Sequence, residues 1–196
     1  MRQRIAAAAA RMMAEDGIDD YALAKRKAAR QLGAEDTQSL PANDEIEQHL
    51  RSYLALYQRD EQRERLLAMR SVALEAMEEM QAFHPYLSGA VLNGTAGRYS
   101  EIDLQLFTDD AKAVEIHLLN RGIPYDVAEQ RHVAPDPGRS VPVLKCEWQG
   151  MRVNLAVFSA NDERAAMKSA GGRAIERAAT PAVRQLLEDL AGDVRP

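Results

Sequence analysis

Hydrophobic positions recur every three or four residues through the first part of the chain and every second residue later on, with the change near residue 85. Helical spacing and helix stop signals predict a first helix from Arg2 to Glu15, ended at Asp16-Gly17, where glycine takes the left-handed cap. Asp20 caps a second helix that runs to about Leu32 and is closed by Gly33. A loop over Ala34 to Ala42 carries Pro41. Asn43 then opens a third helix, with Asp44, Glu45 and Glu47 at the end where the helix dipole favours acids. A long helix follows from about Asp60 to Phe83. Its Leu66, Met69, Ala73, Met77 and Met80 share one apolar face, which reads as a packing face rather than a cofactor box.

Beyond Phe83 the pattern shortens. Ser88 to Asn93 reads as a short strand, and Glu101 to Phe107 alternates strictly. A helix over Asp110 to Asn120 ends at Arg121-Gly122, and Tyr125 to Val133 is a third strand. Ala134 to Ser140 is a Pro/Gly loop. Val141 to Trp148 and Met151 to Ser159 flank Gln149-Gly150, a turn dipeptide at hairpin length. Thr180 caps a closing helix with Pro181 in its first turn. The pattern predicts an α+β chain: a helical N-terminal region over residues 1–59, then an α+β domain over 60–196 built on a small mixed sheet flanked by helices.

Composition narrows the function classes. With 46% hydrophobic and 28% charged residues the chain is not wholly disordered, and a formal charge of −5 argues against a broadly basic nucleic-acid binder. Aromatics at 5% leave little for a base-stacking platform. Cys146 is the single cysteine, which excludes an internal disulfide and a cysteine-based zinc site. His49, His84, His117 and His132 are scattered without ligand spacing. Lys25-Arg26-Lys27 with Arg30 could meet RNA phosphates, but acids flank the patch, and a solvated helix face is the better reading. The apolar run Ile5 to Ala10 is stopped by Arg11, short of the ~20 residues of a membrane span and the ~7–15 of a secretory core. The expected address is cytoplasmic.

The chemistry concentrates in Gly94-Thr-Ala-Gly-Arg-Tyr-Ser-Glu-Ile-Asp-Leu-Gln-Leu-Phe107. Alternate strand residues share a face, so Glu101, Asp103 and Gln105 point one way and Ile102, Leu104 and Leu106 to the core. Two carboxylates two residues apart on a strand suit a hard divalent cation, Mg²⁺ or Mn²⁺, that shares its oxygen ligands with phosphates. Upstream, Gly94, Thr95 and Gly97 would let backbone N–H groups and a hydroxyl approach a triphosphate. If Gln149-Gly150 is a two-residue turn, Trp148 pairs with Met151, Glu147 with Arg152, Cys146 with Val153 and Lys145 with Asn154. Cys146 then faces the core, and Lys145, Glu147, Arg152 and Asn154 share the polar face.

A small pair after a strand, followed by Ser-acid-x-acid opening the next strand, resembles the nucleotidyltransferase signature of the DNA polymerase β superfamily over roughly Met80 to Phe158. The resemblance implies nucleotide contacts from Gly94, Thr95, Ser100 and Lys145, and metal held by Glu101 and Asp103. It implies transfer of a nucleoside monophosphate from a nucleoside triphosphate to an RNA, protein or small-molecule acceptor. Thr95 stands where the family usually has serine, and Glu101 where it usually has aspartate. Asn154 stands where a third acid completes the catalytic set, and an amide cannot serve as a general base. Two readings therefore stay open from the sequence: a metal-dependent nucleotidyltransferase using Glu101, Asp103 and Asn154, and a fold of that type that binds nucleotide, RNA or protein without turnover. A helical interaction protein with an incidental sheet is the third.

Overall fold

The computed structural model describes residues 1–18, 20–34, 39–57, 59–131, 140–165 and 176–192. Contacts divide the chain into two units, one of Met1–Leu66 with Gly94–Ser100, the other of Leu67–Asn93 with Glu101–Pro196.

The first unit holds α1 (Arg2–Asp16), α2 (Tyr21–Gln31), α3 (Asn43–Tyr57) and the opening turns of α4 (Arg59–Glu79). Alanines set its geometry. Ala6, Ala9 and Ala10 of α1 and Ala24 and Ala28 of α2 are buried beside Ile5, Ile46, Leu50 and Leu54, and small side chains let helices approach closely. The expected stops are in place. Gly17 takes φ 68 after α1, and Asp20 accepts the backbone N–H groups of Ala22 and Leu23 ahead of α2. The loop Gly94–Ser100 belongs to this unit: the buried Gln62 amide donates to the Gly94 carbonyl at 2.9 Å.

The second unit is an α+β layer. After α4 come a 3-10 turn (Gln81–Phe83), β1 (Tyr86–Ser88), α5 (Gly89–Asn93), β2 (Ile102–Phe107), α6 (Ala111–Asn120), β3 (Tyr125–Arg131), β4 (Ser140–Trp148), β5 (Met151–Phe158), β6 (Arg177–Ala179) and α7 (Thr180–Gly192). The strands form one mixed sheet in the order β3-β4-β5-β2-β1-β6, with β2 and β5 parallel and all other neighbours antiparallel. Leu87, Ile102, Leu104, Leu106, Val153 and Leu155 are buried, as are Met69, Met77 and Met80 of α4 and Val114 and Leu118 of α6. Glu79 ties the two helices by accepting from His117 at 2.7 Å and pairing with Arg121 at 2.6 Å.

The expected strand over Ser88 to Asn93 is a correction. β1 ends at Ser88, Gly89 turns the chain at φ 71, and Gly89–Asn93 is one turn of helix. A short apolar run reads alike as buried strand or helical turn, and the left-handed glycine decides between them here. The long helix also ends earlier than Phe83, passing into the 3-10 turn. β2 departs from strict alternation in burial, because Gln105 and Phe107 are covered as well as the core-facing residues. β6 was not expected from the pattern. Residues 134–139 of the Pro/Gly loop, and Val133 before it, lie outside the described residues. Among the described residues no helix is long and apolar enough to cross a membrane.

Candidate functional site

The β4–β5 hairpin has the register expected from a two-residue turn, with Trp148 opposite Met151, Glu147 opposite Arg152, Cys146 opposite Val153 and Lys145 opposite Asn154. Gln149 and Gly150 both take positive φ, 49° and 79°, the signature of the turn whose twist matches that of paired strands. Parallel pairing of β5 with β2 then sets Asn154 beside Asp103, and antiparallel pairing of β1 sets Ser88 beside Asp103 on the other side. Extending the row to the sheet edges gives Arg177, Ser88, Asp103, Asn154, Lys145 and Asp126 across all six strands. Cross-strand partners share a face, so these six residues share one.

Asn154 joins the acids. Its Nδ2 donates to Glu101 Oε2 at 2.8 Å and to Asp103 Oδ1 at 2.9 Å, so the two carboxylates converge on one nitrogen. Arg152, one pleat away on β5, donates to Glu101 Oε1 at 3.3 Å, although in register it lies opposite Glu147. The Asn154 hydrogen bond is the largest influence holding the Glu101 carboxyl below the usual carboxylate range. Partial burial opposes it, and the Arg152 hydrogen bond and the charges of Lys145 and Arg152 add to it.

The sheet also carries a small pair that the sequence pattern passed over. Ser88-Gly89 closes β1 and opens α5. Ser88 Oγ donates to the Asp103 carbonyl at 3.3 Å, and a Cβ at Gly89 would lie 2.7 Å from Asp103 Oδ2. Only a residue without a side chain lets the backbone sit this close to the carboxylate. The missed signal was Tyr86-Leu-Ser-Gly89 itself, an apolar pair ending in a glycine that can turn left-handed.

Of the residues singled out from the sequence, Glu101, Asp103, Asn154 and Lys145 gather on the sheet. Gly94, Thr95 and Ser100 belong to the first unit. There Gly94 takes φ 83, Thr95 is buried, and Ser100 Oγ accepts the Gly97 N–H at 2.8 Å. Cys146 is buried with its thiol pushed up to about 11 by desolvation, so it is protonated and inert at neutral pH. A separate cavity of about 540 Å³ in the second unit, lined in part by His84, Tyr86, Glu163 and Arg184, includes none of the predicted residues.

No protein-family model and no curated protein matches the chain. Among solved structures, one reported as the structural basis for the activity of a cytoplasmic RNA terminal U-transferase is similar over 50% of this chain, at 17% identity and a TM-score of 0.33. The similar region spans 29% of that protein's length. A likeness of this degree carries no weight for chemistry, and the site stands on its own geometry.

Among the described residues no group of three or more His, Cys, Asp or Glu side chains is arranged to hold a metal ion. Two convergent carboxylates still fit one class of ion. Mg²⁺ is commonly bound through one or two carboxylates and completes its shell with water and substrate phosphate oxygens. The amide nitrogen of Asn154 lies between the acids as a neutral bridge, and turning the amide over would present Oδ1 to a cation.

Proposed function

We propose that the sheet unit is a nucleotidyltransferase-type site in which Glu101 and Asp103 hold a Mg²⁺ or Mn²⁺ ion that carries a nucleoside triphosphate. The observation that supports this reading is the convergence of both carboxylates on the single Asn154 nitrogen. A divalent ion there would neutralise charge on a phosphoryl group undergoing transfer. Lys145, beside Asn154 in the row, adds a cation for phosphate oxygens, and Ser88-Gly89 lets backbone approach the same face. The reaction proposed is transfer of a nucleoside monophosphate from the triphosphate to a hydroxyl acceptor on RNA, protein or a small molecule: the acceptor oxygen bonds to the α-phosphorus, the bond to the β-phosphate breaks, pyrophosphate leaves and the hydroxyl proton passes to solvent. The Asn154 hydrogen bond, helped by Arg152 and Lys145, holds the Glu101 carboxyl below the usual carboxylate range, which favours cation capture at neutral pH.

A second reading, nucleotide binding without turnover, is favoured by Asn154. At the register position beside Asp103 it donates to both carboxylates and cannot accept a proton from an attacking hydroxyl.

Thermal melting with each nucleoside triphosphate, with and without Mg²⁺, tests the common ground. Ligand at ~100 times its dissociation constant should add ~2.7 kcal/mol to stability. The expected shift needs both components and disappears in Asp103→Ala. Failure of every triphosphate to shift the melt overturns the cation–nucleotide reading, whereas a shift without product in single-turnover assays selects the binding reading.

A further inference from the structure

Arg70 of α4 is 7% exposed, and its partners among the described residues are carbonyl oxygens, not carboxylates. Nε donates to the Val91 carbonyl at 3.1 Å and Nη2 to the Leu92 carbonyl at 3.0 Å. A buried cation without a counter-charge is costly, and an aliphatic side chain of similar length would fill the space at lower cost. What the guanidinium supplies is direction: a planar fork of donors aimed at two successive carbonyls.

Those carbonyls are at the C-terminal end of α5, where a helix leaves its acceptors without intrahelical partners. A helix of one turn does not sustain itself, because nucleation costs more than one turn of hydrogen bonds returns. α5 therefore keeps its place through what grips its ends. At its C-terminal end the grip is Arg70. At its N-terminal end Gly89 packs against Asp103, with room for no side chain between them.

We infer that Arg70 is a positioning residue for the acid pair: by fastening the carbonyl end of α5 to α4, it holds Gly89 against the Asp103 carboxylate and so fixes where that carboxylate points. The inference rests on reading Glu101 and Asp103 as a cation site. It adds a residue that touches neither the acids nor any ligand. With the fork loosened, α5 frays, Gly89 backs away, and Asp103 gains rotamers that turn its oxygens from the point it shares with Glu101.

The test is Arg70→Lys, which keeps the charge and cannot span two carbonyls, with Arg70→Gln as the second variant should the first fail to fold. Amide hydrogen exchange across the chain, the Asp103 carboxyl carbon shift and Mn²⁺ binding by electron paramagnetic resonance are measured on the full chain. Expected are faster exchange confined to α5, a moved Asp103 carbon signal, and Mn²⁺ affinity lower by about tenfold, the scale of losing an outer-shell contact at a metal site. Faster exchange throughout β2 and β5, or faster α5 exchange with an unmoved Asp103 signal and unchanged Mn²⁺ affinity, overturns the inference and leaves Arg70 a stability element. Should the unaltered protein bind no Mn²⁺, the cation reading fails. The positioning role is then decided by the Asp103 signal alone: movement upholds it, and no movement overturns it.

Discussion

Replacing Asn154 by aspartate is the most informative single change, because it alters charge at one nitrogen and leaves shape almost untouched. The amide makes two hydrogen bonds to carboxylates, at 2.8 and 2.9 Å. Bonds to charged groups contribute about 1.5–3 kcal/mol each, and at this half-exposed site the lower figure applies. The new carboxylate would also face two others. Unit charges 4 Å apart repel by about 4 kcal/mol at an effective dielectric of 20. That penalty has a ceiling, since the site can take up a proton. Holding one aspartate protonated at pH 7 against an ordinary value of about 3.9 costs about 4 kcal/mol. The protonated acid would also regain one hydrogen bond. The net loss for Asn154→Asp in chelator at pH 7 is then about 5–6 kcal/mol, a drop in Tm on the order of 15 °C for a chain of this length. Two conditions should return stability: acid, which protonates the cluster, and Mg²⁺, which replaces the lost bridge. The assay is a melting series across pH with chelator or Mg²⁺. A variant melting within about 2 °C of the parent in chelator would show that the amide does not bridge the acids, and would remove the basis for the site.

Three further outcomes follow from the same geometry. Glu101 has its carboxyl held down chiefly by the Asn154 hydrogen bond, so its contribution to stability is full above the unfolded glutamate value of about 4.3 and is lost as pH falls through the lower folded value. Melting curves of the parent and Glu101→Gln should therefore converge in acid and separate above that range; parallel curves refute the assignment. Gly89→Ala forces an L side chain into φ 71 and against Asp103 Oδ2, which should cost at least about 1–2 kcal/mol by denaturant titration, and an unchanged midpoint would contradict the close approach. Cys146, buried with its thiol raised to about 11, should resist iodoacetamide in the native protein and react on unfolding; rapid native labelling would place it at the surface.

Much of the fold was legible because its punctuation is local. Asp20 and Gly17 mark helix ends through their own backbone chemistry, and Gln149-Gly150 sets the β4–β5 register at short range. The pairing of Lys145 with Asn154 followed from that turn alone. The placing of Asn154 beside Asp103 did not, because parallel pairing of β5 with β2 joins segments about fifty residues apart and leaves no local trace. The Ser88 to Asn93 error has the opposite origin. Ala90, Val91 and Leu92 read as strand or helix equally well, and what fixes them, the Arg70 fork and the approach of Gly89 to Asp103, comes from elsewhere in the chain. β6, three residues long, is too short to register as a pattern at all.

The two-residue turn between β4 and β5 also limits how this site can change through descent. A residue gained or lost within that hairpin would slip the register and turn Val153 or Leu155 toward the acids in place of Asn154, exchanging polar and core faces along the whole strand. Lengthening and shortening are thus closed to the site, and alteration has to come by replacement at fixed positions. At position 154 the replacement that matters lies one codon base away, between an amide that bridges two carboxylates and an acid that would make a third. The hairpin therefore keeps the chain one replacement from a three-acid site and bars insertion and deletion as routes to it.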